Sequence, residues 1–155
     1  MGMKEKAARL RARKGKRIRQ VAVLPFRRGP GGRLEVMLLT SRQTRRFVIP
    51  KGWPMKRREN WEAAALEAKQ EAGLVGTVSA EPLGSYDYWK RLASIFVHVT
   101  VVVYPLEVTE ERDSWREQDV RLRRWVSPAQ AIDLVDEPAL ATLIGAFAAS
   151  KGESG

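Results

Sequence analysis

Two glutamates four residues apart, Glu67 and Glu71, have the spacing in this sequence that most directly suggests chemistry. They lie in an Ala- and Glu-rich segment, Asn60–Ala72, whose composition predicts a helix with Asn60 as its cap. Residues i and i+4 share one helix face, so the two carboxylates would repel each other. A divalent cation bound between them would remove that repulsion, and Mg²⁺ prefers carboxylate, water and phosphate oxygens. Without further support, such a pair is more often a solvated helix face.

A loop with a basic residue and a glycine precedes the helix. Pro50 ends a short β-rich segment, Phe47–Ile49, and Lys51 and Gly52 follow it. Because glycine has no Cβ, the backbone here can approach a phosphate or a metal closely. Loop and helix together suggest a site for a phosphate and a cation.

The spacing over residues 52–74 resembles the Nudix box, the sequence signature of the Nudix family. That box runs Gly, five residues, Glu, seven residues, Arg-Glu, an apolar residue, any residue, Glu-Glu, any residue, Gly and an apolar residue. Aligned without gaps, the sequence matches it at Gly52, Glu67, Ala68, Glu71, Gly73 and Leu74. The preceding stretch, FVIPKGWPMK, is similar to the Nudix branch that includes the diphosphoinositol polyphosphate phosphohydrolases.

This resemblance implies both a fold and a reaction. The implied fold is α/β, the Nudix α/β/α sandwich around a mixed β-sheet, over residues 19–149. The implied reaction is hydrolysis of a diphosphate, with Mg²⁺ or Mn²⁺ neutralising phosphate oxygens. Carried over by position, Glu67, Glu71 and the Gly52 carbonyl are the expected metal ligands. Gln70 joins the two glutamates as a candidate catalytic residue, as a weak ligand or a group that positions water.

Three positions depart from the box. Arg58 stands for the first Glu, Leu66 for the Arg, and Gln70 for the first of the paired Glu residues. Gln70 offers a carbonyl oxygen but no charge, so weaker metal binding is expected. Two alternatives remain for Arg58: it partly replaces the missing box arginine by contacting Glu62 or Glu67, or it faces solvent.

Substrate-binding candidates are the basic residues around the third strand, Arg42, Arg46 and Lys51. A diphosphate needs such donors, and the guanidinium fork of arginine matches phosphate geometry. For each residue alone, a solvated surface role is the alternative.

A further carboxylate from beyond the box often serves Nudix enzymes as ligand or base. Glu117 is the candidate here, with Glu111 and Asp119 as competitors. The single histidine, His98, is expected in the core or at a sheet edge rather than in catalysis. The five tryptophans could stack a base, but most are expected in the core.

Predicted strands and helices are mixed along the chain, which favours an α/β architecture. Apolar, β-branched runs bounded by turn residues predict the strands, and Ala-rich runs after a proline predict two C-terminal helices. Strands are expected over residues 20–26, 34–40, 47–49, 83–90, 94–108 and 120–126, and the helices over 128–135 and 138–149.

Composition excludes several classes of site. The sequence has no cysteine, which rules out disulfides, thiolate zinc sites and a cysteine nucleophile, and one histidine rules out a two-histidine metal motif. No apolar run reaches the ~18 residues that a membrane span needs. We therefore expect a cytoplasmic protein with no membrane partner, and the sequence carries no signature of an oligomeric state.

The net charge of +10 is concentrated at one end of the chain. Residues 1–28 hold eleven Lys/Arg and one acid, whereas the remainder holds 17 of each sign. We predict a basic, flexible arm over residues 1–18 and a disordered tail over 150–155. The arm could be merely solvated or could bind nucleic acid or another polyanion.

Three functional hypotheses follow. The first is a metal-dependent Nudix hydrolase whose substrate is a nucleoside diphosphate derivative, a dinucleoside polyphosphate or an inositol pyrophosphate. The second is a catalytically impaired Nudix domain that binds a phosphorylated ligand, which Leu66 and Gln70 favour. The third is a polyanion- or RNA-binding protein that works through its arm.

Overall fold

One mixed β-sheet organises the molecule. The computed structural model describes residues 3–14, 17–42 and 46–153. Within them the sheet has eight strands: β1 (Ile18–Arg28), β2 (Leu34–Thr40), β3 (Phe47–Val48), β4 (Lys51–Gly52), β5 (Leu74–Val78), β6 (Gly84–Leu92), β7 (Ile95–Glu111) and β8 (Arg123–Val126). A 3-10 turn, Pro30–Gly32, joins β1 to β2.

Strands β1 and β7 form the parallel centre of this sheet, in register from Ile18 opposite Val99 to Phe26 opposite Glu107. All other pairs are antiparallel: β2 and β4 with β1, β3 and β8 with β2, and β5 and β6 with β7. A near-continuous apolar sequence such as that of β1 suits a strand covered on both faces. The mixed sheet predicted from the sequence is confirmed.

Helices cover both faces of the sheet. They are α1 (Met3–Arg13), α2 (Asn60–Ala72), α3 (Pro128–Leu134) and α4 (Pro138–Ser150). Residues of α2 share one hydrophobic cluster with Val21, Val23 and Leu106. Residues of α3 and α4 share the other with Ala22 and Leu24, neighbours of alternate orientation on β1. The α/β/α sandwich is therefore confirmed. No helix in the described ranges is both long and apolar enough to cross a membrane.

The start of α2 differs from the prediction. Asn60 is the first helical residue, and Glu59, in extended conformation, is the cap. The Glu62 carboxylate accepts a hydrogen bond from the Glu59 backbone N–H at 2.9 Å, which satisfies a donor at the helix start. The predicted end is correct: Gly73 adopts the left-handed conformation (φ 66°) that glycine tolerates.

Strand β5 was not predicted from the sequence. Its glycine, Gly76, weakens the β pattern, but a Cβ there would lie 2.0 Å from the Glu107 carbonyl oxygen of β7. The register between β5 and β7 shifts between Val75 and Gly76. Gly76 therefore permits the close approach of two backbones at a bulge.

Both termini differ from the expected arm and tail. Residues 3–13 of the arm form α1, and its Ala8 is buried beside Ile18 because a small side chain lets the helix lie close to the sheet. Helix α4 reaches Ser150, and Glu153 accepts hydrogen bonds from Arg28 (2.8 Å) and from the Leu34 backbone N–H (3.2 Å). These contacts hold residues 151–153 against the β1–β2 hairpin. Residues 1, 2, 15, 16, 154 and 155 lie outside the described ranges.

Candidate active site

Helix α2 places Glu67 and Glu71 beside each other at the sheet. The helix faces the strands through small residues, Ala63, Ala64, Ala68 and Ala72. Small side chains allow a close approach of helix and sheet, and Glu71 is left only 5% exposed. The two carboxyl groups are within hydrogen-bonding distance of each other. The predicted i, i+4 pair is thus packed at the sheet, with Glu71 buried and Glu67 partly buried, rather than on a solvated face.

Gly52 lies directly against this cluster. Strand β4 pairs with β1, Gly52 opposite Val21, which turns the loop towards α2. A Cβ built on Gly52 would lie 2.4 Å from the Glu67 side-chain Cδ, a distance that no real contact allows. The first box glycine therefore makes room for the Glu67 carboxylate, so the structure unites the loop and helix that the sequence paired.

Gly52→Ala is expected to move the Glu67 carboxylate. The added methyl cannot fit beside Cδ, and a displacement of about 1 Å at a reacting centre can cost roughly 100-fold in rate. Divalent-metal affinity, followed by calorimetry, should fall with it. Gly145→Ala is the matched control, since its Cβ meets only Ile132 at 3.6 Å and alanine favours helix α4. Wild-type metal affinity in Gly52→Ala would contradict the requirement for glycine beside the Glu67 carboxylate.

Glu117 reaches the same cluster from the loop before β8. Its backbone N–H donates to the Gln70 carbonyl oxygen at 3.1 Å, and its charge acts on Glu71. Of its competitors, Glu111 pairs with Arg27 at 2.8 Å and accepts a hydrogen bond from Trp125. Asp119 lines a neighbouring cleft of about 310 Å³. The structure brings Glu117, not Glu111, to the helix carboxylates.

Arg121 is a component of the site that sequence reasoning missed. Its Nε donates to Glu117 at 2.9 Å, Nη1 donates to the Thr40 carbonyl oxygen at 3.1 Å, and Nη2 lies 3.7 Å from Glu71 Oε1. Its side chain is 13% exposed. The only signal in the sequence was its spacing of four residues from Glu117, which is common in solvated segments. A guanidinium therefore links two of the three carboxylates.

Burial dominates the protonation of the central groups. It raises the pKa of Glu71 to about 8, with Glu67 and Glu117 adding to the increase and Arg121 opposing it. Burial also lowers the pKa of Lys51 to about 8, against the attraction of Glu71. A carboxylate and an ammonium that both titrate near neutrality are typical of functional sites.

The raised pKa of Glu71 predicts how stability depends on pH in the absence of metal. Between the ordinary carboxyl value of 4.5 and about 8, the folded state keeps a proton that the unfolded state loses. Stability should therefore fall as pH rises through this window, by up to roughly 5 kcal/mol over its whole range. Urea unfolding in EDTA at pH 5, 6.5 and 8 measures it. Glu71→Gln should flatten the profile, and the exposed control Glu81→Gln should retain the wild-type slope.

The three substrate-binding candidates occupy different places. Lys51 is partly buried, with its Nζ 5.3 Å from the Tyr88 ring centre and its charge coupled to Glu71. The exposed Arg42 places Nε 4.0 Å from Glu117 Oε1. Arg46 pairs with Asp136 at 3.4 Å, in the connection between α3 and α4. Lys51 and Arg42 thus lie at the carboxylate cluster, while Arg46 lies towards the opposite layer.

Arg58 does not replace the missing box arginine. It is exposed and makes no ion pair among the side chains that the structure describes, while Glu62 is used to cap α2. This supports the solvent-facing alternative. Leu66 is partly buried.

The remaining candidates lie away from the cluster. His98 lies on β7, next to the edge strand β6, with an exposed side chain 4.0 Å from Asp87 and 5.3 Å from the Trp89 ring. Trp89 is 68% exposed, because it lies on the uncovered face of the β6–β7 hairpin. The other four tryptophans are partly buried.

The donor set at the cluster suits a hard divalent cation. Glu67 and Glu71 supply carboxylate oxygens, and Gly52 adds its backbone next to Glu67. Two carboxyl groups that approach each other, one of them buried, favour a proton or a metal between them. Within residues 3–14, 17–42 and 46–153, no three His, Cys, Asp or Glu side chains are grouped to hold a metal. Water and substrate oxygens would have to complete the shell, as is common for Mg²⁺.

Comparison with known proteins agrees with this geometry. A family model described as the NUDIX domain matches residues 16–144. Nudix hydrolase 21, chloroplastic, of Arabidopsis thaliana is 33% identical over 82% of this chain and 64% of that protein. Nudix hydrolase 13, mitochondrial, of the same plant is 32% identical over 66% of this chain and 54% of that protein. The chain spans roughly half to two thirds of the length of these relatives.

Solved structures show the same fold at low identity. A C. elegans Ap4A hydrolase in a binary complex has a TM-score of 0.65 and 19% identity, covering 87% of this chain and 98% of that one. The NUDIX domain of Shewanella oneidensis NrtR, complexed with ADP ribose, has a TM-score of 0.61 and 16% identity, covering 92% and 96%. At these identities the likeness concerns the fold alone.

Proposed function

The chain belongs to the Nudix family, and from this we propose that it is a metal-dependent hydrolase that cleaves a diphosphate linkage. The substrate classes that fit are nucleoside diphosphate derivatives, dinucleoside polyphosphates and inositol pyrophosphates. The observation that carries the proposal is the pair of the partly buried Glu67 and the buried Glu71, held against Gly52 and joined by Glu117 and Lys51.

Each residue has a distinct role in this proposal. Glu67, Glu71 and the Gly52 carbonyl would hold the metal, for which Mg²⁺ or Mn²⁺ is the candidate. When bound, such an ion neutralises phosphate oxygens and lowers the pKa of coordinated water. Lys51 supplies a partly desolvated positive charge for the substrate diphosphate, where electrostatic attraction is stronger than in water.

Glu117 and Gln70 act on the attacking water and on its position. A carboxylate oxygen of Glu117 accepts the proton of the attacking water, and the Arg121 contact at 2.9 Å fixes its orientation. Gln70 offers a neutral amide oxygen from the same helix turn. Arg42 lies at the mouth of the cluster, where its guanidinium can bind an outer phosphate. Arg46 stays a weaker candidate because it already pairs with Asp136.

A panel of substrates tests the proposal. Diadenosine tetraphosphate, ADP-ribose, a nucleoside diphosphate derivative and an inositol pyrophosphate would be incubated with the full chain at millimolar Mg²⁺ or Mn²⁺. Release of phosphate or nucleoside monophosphate that stops in EDTA supports a metal-dependent hydrolase. Turnover of the inositol pyrophosphate alone would support the diphosphoinositol branch. Binding without turnover of any member would contradict the hydrolase.

A specific observation favours a second function, a Nudix domain that binds a phosphorylated ligand without cleaving it. Arg121 already supplies positive charge to Glu71 and Glu117, and Gln70 and Leu66 remove two charged groups of the box. The charge of Arg121 and the neutral side chain of Gln70 both reduce the need for a metal at the cluster. The NrtR domain named above, which has a similar fold, was crystallised with ADP ribose.

Two further proposals rest on the amino-acid sequence alone. The first is a cytoplasmic location, although the relatives named above are designated mitochondrial or chloroplastic. Binding of nucleic acid or another polyanion through the basic N-terminal segment is the other.

A further inference from the structure

A basic groove lies between helix α1 and the loop that follows β4. Its volume is about 810 Å³, and the residues that line it are Ala7, Ala8, Arg11, Arg17, Ile18, Arg19, Trp53, Pro54 and Lys56. Ligand sites for small molecules typically have volumes of about 300–1,000 Å³. The groove therefore has the size of a nucleotide-like ligand rather than of an extended track.

The charged residues that line the groove, in the part of the chain that the structure describes, are all positive. They are Arg11, Arg17, Arg19 and Lys56, and none of the acidic side chains described over residues 6–14, 17–42 and 46–153 lines it. None of these four side chains forms an ion pair with a carboxylate in the part of the chain that the structure describes. Four like charges around one cavity repel each other, and a polyanion bound between them would reverse that cost.

The groove adjoins the backbone of the candidate active site at one point. Trp53, which lines it, directly follows Gly52, whose backbone lies against the Glu67 carboxylate. Consecutive Cα atoms are about 3.8 Å apart, so the wall that Trp53 forms begins one residue from the backbone at the carboxylate cluster. Trp53 is partly buried against the core and offers an indole wall.

We propose that this groove binds the polyphosphate chain of the substrate, beyond the diphosphate held at the carboxylate cluster. The inference rests on the proposed function for the identity of the bound molecule. It favours substrates with three or more phosphates, because four cations exceed what a single diphosphate can engage. It also gives helix α1 a role: α1 contributes Arg11 and closes one side of the groove.

Calorimetry with inorganic tripolyphosphate in EDTA tests binding apart from hydrolysis. The full chain is compared with the double variant Arg11→Gln/Arg19→Gln. Loss of two charge-assisted contacts should raise Kd by about tenfold or more. The double variant Arg33→Gln/Arg124→Gln, which changes two exposed cations outside the groove, is the matched control, with a change below about twofold expected.

Each outcome decides between explanations. Equal weakening in both double variants would reduce the effect to overall charge and overturn the proposal. Orthophosphate binding as tight as tripolyphosphate would leave only a single-anion site and also overturn it. The proposal would also be overturned if a single-stranded RNA without terminal phosphates bound more tightly than tripolyphosphate and if this RNA binding were lost in the Arg11→Gln/Arg19→Gln variant. Groove-specific tripolyphosphate binding without turnover of any substrate would support the groove while the hydrolase proposal fails.

Discussion

Glu71→Gln is expected to lower metal-dependent hydrolysis by about 100- to 1,000-fold, in the range seen when a charge-stabilising group is removed from an active site. Glutamine keeps the size of the side chain but not the charge that would hold the cation. The metal-free protein should not lose stability, because the buried Glu71 carboxyl is already inclined to be neutral, with a pKa of about 8. The same substitution thus separates function from folding.

Two measurements on each variant check this result: the turnover rate at millimolar Mg²⁺, and the rise in melting temperature that Mg²⁺ causes. A ligand that binds only the folded state raises its stability, so a lost metal site should lose that rise. Glu81→Gln, an exposed carboxylate away from the cluster, should behave as wild type in both. Full turnover in Glu71→Gln would remove this helix from the chemistry.

Gln70→Glu provides the opposite test at the neighbouring position. It restores the carboxylate of the Nudix box and should lower the Mg²⁺ concentration for half-maximal activity by about tenfold, equivalent to ~1.4 kcal/mol. If turnover occurs only in this variant, the natural protein is an impaired or ligand-binding Nudix domain, the second function considered above.

Arg121→Gln is expected to destabilise the metal-free protein by about 3 kcal/mol at pH 8. Removing one partner from a buried ion pair leaves the others without compensation, which typically costs 3–5 kcal/mol. Without the Arg121 guanidinium, Glu117 would lose its hydrogen bond of 2.9 Å and Glu71 would lose the positive charge 3.7 Å away. The backbone carbonyl of Thr40 would lose its hydrogen-bond donor. Urea unfolding in EDTA measures the change.

Millimolar Mg²⁺ should recover much of this lost stability. Without the guanidinium, the carboxylates attract a cation more strongly, so metal affinity should rise in Arg121→Gln while it folds less stably. A purely structural arginine would give destabilisation without recovery by metal. Arg112→Gln is the control, because its pair with Glu110 is exposed and worth less than about 1 kcal/mol. Unchanged stability in Arg121→Gln would show that the three contacts contribute little.

Much of the fold was accessible from local patterns. Continuous β-branched runs identified β1 and β7, and the Ala-rich segment with its final glycine identified α2, because these patterns depend on the preferences of nearby residues. Strand β5 was not predicted because Gly76, within it, has no preference for β structure. It is required only by the approach of the Glu107 carbonyl, a contact between residues far apart in the sequence.

The sequence by itself determined the family pattern and the shared helix face of Glu67 and Glu71, since helix periodicity and box spacing are properties of one segment. Only the tertiary structure decided that Glu71 is buried, that Arg121 joins the cluster, and that α1 forms a basic groove with Trp53. Burial and ion pairing depend on which distant segments the sheet brings together. Arg121 and Glu71 are fifty residues apart, and no local pattern records their contact.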